Sequence, residues 1–98
     1  MATLRKNRQE LFRSIAEALR KEGAKKIAVF GSYARGQDTA ASDIDVLVEF
    51  AEPKGLFEIV RIERQLSAEI GIKVDLLTKN ALSPFIREQV MHEMKVIT

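Results

Sequence analysis

The chain has 98 residues, enough for one compact domain and too few for two, so we expect a single domain over residues 1–98. Its composition of 46% hydrophobic and 31% charged residues is typical of a folded globular protein and argues against a disordered or collagen-like chain. The 16 basic and 14 acidic residues leave a net charge of +2, and the lack of cysteine excludes disulfides, zinc–thiolate sites and thiol catalysis.

No apolar stretch approaches the ~20 residues that cross a bilayer, and the N-terminus lacks the apolar core of a signal peptide. We therefore expect a cytoplasmic location and no membrane partner. The near balance of charges is weak evidence for nucleic-acid binding, so no nucleic-acid partner is expected. Arg5, Lys6 and Arg8 form a dense basic cluster near the N-terminus. Such a cluster is typical of a contact with phosphates, of a contact with an acidic partner, or of the exposed start of a helix.

The first third of the chain predicts a helix, a strand and a short turn. Apolar residues recur at helical spacing over residues 7–21, which indicates an amphipathic helix. Residues 26–30 are a short apolar run that predicts a strand ending at Gly31. Residues 32–36 then predict one helical turn, with Ser32 supplying a capping oxygen at its start.

Strict alternation over residues 43–50 predicts a second strand after a small polar loop. One face carries Ile44, Val46, Val48 and Phe50, and the other carries Asp43, Asp45, Leu47 and Glu49. A second helix, ended by Gly71, is then predicted by the apolar residues Leu56, Ile59, Val60, Leu66 and Ile70. Alternation over residues 72–77 predicts a third strand, with Lys73, Asp75 and Leu77 on one face.

Ser83 and Pro84 form a cap and first-turn pair for a last helix. Its predicted inward-facing residues are Phe85, Ile86, Val90, Met91 and Met94. Residues 96–98 are either an edge strand or a loose end. This order of elements predicts an α+β fold in which helices flank a small mixed β-sheet.

The two aspartates of the second strand point to a cation site. Residues two apart on a strand share a face at about 6.6 Å, so Asp43 and Asp45 repel each other by roughly 2–3 kcal/mol at an effective dielectric near 20. A Mg²⁺ ion offsets that cost, because it prefers carboxylate oxygens and shares its coordination shell with substrate phosphates. If the third strand is a neighbour, Asp75 joins them, and two metal ions can then support in-line phosphoryl transfer.

The turn after the first strand supplies an anion-binding edge for the same site. Gly31 permits a close backbone approach, and a short helix starting at Ser32 presents amide groups and a hydroxyl to phosphates. Arg35, one turn further on, either reaches the same phosphates or pairs with an acidic neighbour. Tyr33 suits local packing, with stacking on a nucleotide base as the alternative.

The pattern GSxARGx5SDxD from Gly31 to Asp45 resembles the signature of minimal nucleotidyltransferases, the MntA-like antitoxins paired with HEPN toxins, within the DNA polymerase β-like superfamily. The resemblance covers nearly the whole chain, and Val46 stands where leucine is more usual. It implies that Asp43 and Asp45 bind two Mg²⁺ ions, that Gly31 and Ser32 hold the triphosphate, and that Asp75 helps to activate the acceptor hydroxyl.

The resemblance also implies an activity and a partner. A nucleoside monophosphate, AMP from ATP, would pass to a tyrosine hydroxyl of a HEPN ribonuclease toxin, which would be neutralised in a hetero-oligomer. Two alternatives stay open. One is the catalytic subunit of an antibiotic-type nucleotidyltransferase that acts on a small molecule, and the other is an antitoxin that binds its partner without catalysis.

Overall fold

The computed structural model describes residues 7–39 and 41–97, which form a four-stranded sheet flanked by four α-helices. The helices are α1 (Arg8–Lys21), α2 (Gly31–Arg35), α3 (Leu56–Ile70) and α4 (Pro84–Glu93), and a 3₁₀ turn lies at Lys79–Ala81. The strands are β1 (Ala24–Phe30), β2 (Ile44–Phe50), β3 (Val74–Leu77) and β4 (Lys95–Val96). The predicted α+β class, with a small mixed sheet between helices, is confirmed.

The sheet has the strand order β3-β2-β1-β4. The long strand β1 pairs antiparallel with both β2 and β4, whereas β2 and β3 are parallel and joined through α3. The predicted edge strand near the end of the chain is therefore present, although Thr98 lies outside the described residues. No helix among the described residues is long and apolar enough to cross a membrane.

The larger hydrophobic core fills one face of the sheet, beneath α1 and α3. Its most deeply buried side chains belong to α1 and to the three longer strands: Ile15, Leu19, Ile27, Val29, Ile44, Val46, Val48 and Val74. Helix α1 is capped at its start, because the side chain of Asn7 accepts a hydrogen bond from the amide of Glu10.

A smaller cluster covers part of the opposite face, where α4 packs. It contains Ala28, Phe30, Leu47, Leu82 and Val90. Leu47 follows Asp45 on the same face of β2, yet its side chain is buried. This face of the sheet is therefore apolar under α4, whereas the carboxylates of the candidate site lie at the end where β2 begins.

Two apolar residues predicted to pack inward from α4 are exposed instead. Phe85 is 94% exposed because it precedes the buried Val90 by five residues, which turns it about 140° away around the helix. Ile86 lies on the side of Val90 but only in the first turn of α4, and it is 45% exposed. The prediction for these two residues was wrong, whereas Val90, Met91 and Met94 do contact the sheet.

The apolar stripe of α3 is also displaced from the predicted one. The buried side chains are Ile62 and Leu66, and the partly buried Ile59 and Ile70 extend the same stripe by steps of three or four residues. Leu56 and Val60, which helped to predict this helix, fall outside that stripe and are exposed.

Candidate functional site

Asp45 lies at the centre of the polar end of the sheet. It is the register partner of Phe30, the last residue of β1, on one side and of Asp75 in β3 on the other. The adjacency of β2 and β3 on which the role of Asp75 depended is therefore present. Asp43 immediately precedes β2 rather than belonging to it, so the three carboxylates meet where β1 ends and where β2 and β3 begin.

Gly31 is packed directly against the carboxylate of Asp45. A Cβ atom added at Gly31 would overlap Oδ2 of Asp45 and stand 3.4 Å from its Cγ, and the φ of Gly31 is +73°. Only glycine adopts this left-handed conformation without strain. The close approach that the sequence predicted for this glycine is thus an approach to a carboxylate of the site itself.

The short helix α2 begins one residue earlier than predicted. Its N-cap is Phe30, which makes no side-chain hydrogen bond, and Ser32 lies in the first turn. The prediction that Ser32 caps this helix was wrong, because β1 runs straight into the helix at Gly31. The first amide groups of α2 consequently have no side-chain cap and remain beside the carboxylates.

The site concentrates negative charge at Asp45. Burial raises the pKa of the Asp45 carboxyl above its usual value, and the charges of Asp75 and Asp43 raise it further. Arg35 acts in the opposite direction and lowers the pKa of the same carboxyl. The protein alone therefore does not fully neutralise the negative charge of ionised Asp45.

Lys73 supplies a positive charge between the other two carboxylates. Its Nζ lies 3.8 Å from Oδ2 of Asp43 and 4.0 Å from Oδ1 of Asp75. The residue immediately precedes β3, and its carbonyl accepts a hydrogen bond from the amide of Ile44 at 2.9 Å. The sequence placed Lys73 on the face of Asp75 but assigned it no role, although the alternation of this strand was the signal that could have revealed it.

The carboxylates are chemically suited to a hard divalent cation. Among residues 7–39 and 41–97, no three carboxylate or imidazole side chains are gathered closely enough to hold one ion by themselves. This geometry fits Mg²⁺ nonetheless, because that ion is usually bound by one or two carboxylates together with water and substrate phosphates. Asp43, Asp45 and Asp75 are thus the residues that could hold a metal ion arriving with a phosphate ligand.

Arg35 has the acidic neighbour that the sequence left open. Its Nη1 lies 3.1 Å from Oε2 of Glu93 at the end of α4, and its Nε donates to Oε1 of Gln37 at 3.1 Å. Tyr33 is buried in the larger core, so local packing rather than stacking accounts for it. These contacts tie α2 to both layers of helices.

The basic residues near the N-terminus are only partly described. Arg8 pairs with Asp38, a carboxylate of the loop before β2, whereas Arg5 and Lys6 lie outside the described residues. The loop also closes on itself, because Oγ of Ser42 accepts a hydrogen bond from the amide of Thr39 at 2.8 Å. This turn fixes the chain immediately before Asp43.

Comparisons with known proteins identify relatives of this chain. The nucleotidyltransferase domain family matches residues 12–97. A candidate protein adenylyltransferase of Methanocaldococcus jannaschii is 41% identical over 87 residues, which span 89% of this chain and 94% of that protein. Protein adenylyltransferase MntA of Thermococcus cleftensis is 39% identical over 90 residues, which span 87% of this chain and 91% of that protein.

A solved structure extends the comparison to three dimensions. A crystal structure of a toxin–antitoxin complex with AMP-PNP contains a chain that superposes with a TM-score of 0.80 at 26% identity. The match covers 89% of this chain and 72% of that chain.

Proposed function

Because this chain belongs to the nucleotidyltransferase domain family, with protein adenylyltransferases among its relatives, we propose that it is a Mg²⁺-dependent antitoxin enzyme. It transfers AMP from ATP to a hydroxyl group, a tyrosine, of a HEPN-type toxin and thereby neutralises that toxin. The toxin partner is supported by the toxin–antitoxin complex among its structural neighbours, and the nucleotide by the AMP-PNP in that complex.

The observation that carries the proposal is the register of Asp45 with Asp75, with Gly31 packed against Asp45. Two parallel strands bring carboxylates side by side, and the end of a third strand brings uncapped amides to the same place. A site with only a structural role gives no reason to place repelling carboxylates beside a glycine position that has no room for a side chain. A site for a metal-bound triphosphate needs both features.

Each residue has a role in the proposed transfer. Asp43, Asp45 and Asp75 would hold two Mg²⁺ ions, which when bound neutralise the charge of the triphosphate and of the reacting oxygens. The amides at Gly31 and Ser32 bind the terminal phosphates, and Arg35 adds positive charge beside them while Glu93 anchors its side chain. Asp75 accepts the proton of the acceptor hydroxyl.

The proposed transfer is a displacement reaction at the α-phosphorus of ATP. The acceptor oxygen forms a bond to the α-phosphorus of ATP, the bond from that phosphorus to the bridging oxygen breaks, and pyrophosphate leaves. The proton released from the hydroxyl goes to Asp75, which returns it to water. Positioning by the carboxylates and amides supplies most of the rate enhancement, because phosphoryl-type transfer needs little other covalent chemistry.

The acceptor would be delivered by the toxin. Exposed aromatic side chains at the starts of α3 and α4, Phe57 at 90% and Phe85 at 94% exposure, provide apolar contacts of the kind that protein interfaces use. Both side chains are exposed in this chain, so they are available to a partner.

A labelling experiment tests the proposal. The purified protein is incubated with Mg²⁺, labelled ATP and a purified HEPN-type toxin, and we expect the label on the toxin together with loss of its ribonuclease activity. The Asp43→Asn/Asp45→Asn variant should abolish labelling, whereas Glu49→Gln, on the same strand but exposed and away from the site, should not. Absence of label on the toxin with the native enzyme would contradict the proposed acceptor.

The same experiment separates the two alternatives. Full neutralisation by the unlabelled Asp43→Asn/Asp45→Asn variant would indicate an antitoxin that acts by binding alone. Label appearing on an aminoglycoside or a similar small hydroxylated molecule, and not on the toxin, would indicate the small-molecule enzyme.

A further inference from the structure

The third carboxylate of the site is carried by a short strand at the edge of the sheet. β3 has only four residues and lies at the edge of the sheet, with β2 on one side and, among residues 7–39 and 41–97, no strand on the other. In such a strand, alternate backbone amides point away from the sheet and need other partners. Here those amides belong to Val74 and Leu76, the residues on either side of Asp75.

Both outward amides are bound by side chains of α3. Oε2 of Glu63 accepts a hydrogen bond from the amide of Leu76 at 2.7 Å, and Oγ of Ser67 accepts one from the amide of Val74 at 2.9 Å. The Ser67 hydroxyl also donates to the carbonyl of Glu63 at 2.8 Å, which fixes its orientation. Each of these three hydrogen bonds is partly buried, so water competes weakly for them.

The spacing of these bonds follows from the geometry of the two elements. Residues four apart on a helix are separated by about 6 Å along the axis and lie on one face, while residues two apart on a strand are separated by about 6.6 Å on one edge. Glu63 and Ser67 therefore match Leu76 and Val74 in antiparallel order. Side chains of α3 thus bind the backbone amides that a further strand would bind at this edge.

We propose that Glu63 and Ser67 are positioning residues for Asp75. They hold the backbone on both sides of Asp75, so that its carboxylate stays opposite Asp45 in the register that the metal site requires. This inference rests on the proposed function, since it assigns the two residues to the same cation site. A slip of β3 by one residue would turn Asp75 to the opposite face of the sheet, into the larger core.

The inference explains a choice of residues that packing alone does not. Glu63 and Ser67 lie beside the buried Ile62 and Leu66 on α3, where an apolar side chain would add to the core. Polar side chains with acceptor atoms stand there instead, and both acceptors are used by β3. No local motif marks them in the sequence, because their partners lie seven and thirteen residues away.

The test compares Glu63→Ala, Glu63→Gln and Ser67→Ala with Glu69→Ala, which removes an exposed carboxylate from the same helix. Mn²⁺ binding is measured by calorimetry with the full chain and a non-hydrolysable ATP analogue, at a temperature where circular dichroism shows each variant to be folded. We expect Glu63→Ala and Ser67→Ala to weaken Mn²⁺ binding by about tenfold or more. Glu63→Gln keeps a carbonyl acceptor and should restore native affinity to within about threefold, and Glu69→Ala should have no effect.

Amide hydrogen exchange gives a second readout that does not need the metal. The amide of Leu76 should exchange about 5- to 10-fold faster in Glu63→Ala relative to the amide of Val46, which reports on the central strand and corrects for global destabilisation. Native Mn²⁺ affinity in both Glu63→Ala and Ser67→Ala would overturn the inference, as would an equal loss in Glu63→Gln and Glu63→Ala. Failure of the native protein to bind Mn²⁺ would instead overturn the proposed function, and the inference with it.

Discussion

Asp45 and Asp75 lie directly opposite each other across the parallel pair of β2 and β3. Neighbouring strands are about 4.8 Å apart, so two ionised carboxylates in this register repel each other unless a cation intervenes. Lys73 meets only Asp75 and Asp43 of this group, and Arg35 only moderates the effect at Asp45. The metal-free fold therefore carries an electrostatic cost that a bound divalent cation would relieve.

The first prediction is that Asp45→Asn stabilises the metal-free protein at pH 7. The native pKa of Asp45 is raised by burial, Asp75 and Asp43, so its ionisation disfavours the folded state. We expect the variant to unfold at a higher Tm, by a few degrees, because about 1 kcal/mol corresponds to about 4–8 °C in a domain of this size. Thermal unfolding in excess chelator measures it, and a Tm at or below the native one would contradict the electrostatic argument.

The second prediction concerns the pH dependence of that difference. The folded state holds the Asp45 proton more tightly than the unfolded state, so ionisation of Asp45 lowers the stability of the fold as pH rises from the ordinary pKa of 3.8 through the raised pKa. Above the raised pKa the penalty is complete, and below 3.8 it is absent. The difference in unfolding free energy between Asp45→Asn and the native chain should thus shrink as pH falls. Denaturant titrations in chelator between pH 7 and the acid limit of folding would measure it, and a constant difference would contradict it.

The sequence predicted some features of the fold and of the site but not others. Alternation in two segments predicted two strands with Asp45 and Asp75 on their polar faces, and the pattern from Gly31 to Asp45 predicted the family, which is confirmed. These features are local, so short stretches of sequence contain them. The sequence did not predict whether β3 runs parallel or antiparallel to β2. The parallel pairing of these strands brings Asp45 and Asp75 into register.

The features that the sequence did not reveal depend on contacts between distant segments. Glu63 finds its partner thirteen residues away, and Arg35 finds Glu93 at a separation of 58 residues. Phe85 was predicted to be buried from its hydrophobicity alone. Which face of a helix is buried depends on how the helix packs against the sheet, and Phe85 lies on the exposed face of α4. Ser32 was expected to cap α2 because serine favours that position, whereas the chain enters the helix one residue earlier.

The third prediction is that Gly31→Ala damages the site more than an alanine at another left-handed glycine does. Both Gly31 and Gly36 have φ near +70°, but only at Gly31 would the new Cβ overlap the Asp45 carboxylate. Gly36→Ala should cost about 1 kcal/mol of unfolding free energy through backbone strain alone. Gly31→Ala should cost about 2–4 kcal/mol and also weaken binding of Mn²⁺ with an ATP analogue. Equal losses of stability and unchanged Mn²⁺ binding in the two variants would contradict the packing of Gly31 against Asp45.

The fourth prediction is that Lys73→Ala strengthens binding of Mn²⁺ in the absence of nucleotide. The ammonium group of Lys73 stands within 4.0 Å of Asp43 and Asp75, so it competes with a metal ion for the same oxygens. Because the pair is exposed, the competition is worth no more than about 1 kcal/mol, or about a fivefold change in affinity. Calorimetry with Mn²⁺ alone measures it, with the exposed Lys26→Ala on β1 as the control for net charge. A weaker affinity in Lys73→Ala would contradict the competition.

The last prediction separates the two roles left to Arg35. If the residue only anchors α4 through Glu93, then Arg35→Ala and Glu93→Ala should lower transferase activity equally. We expect instead that Arg35→Ala raises the KM for ATP about tenfold, because it also removes a positive charge beside Asp45 and the phosphates, while Glu93→Ala changes the KM by less than about threefold. The coupling free energy of the pair for stability should be only about 0.2–1 kcal/mol, as for other exposed ion pairs. Steady-state kinetics and a double-mutant cycle in thermal unfolding give both quantities, and equal KM values in the two single variants would assign Arg35 to the scaffold.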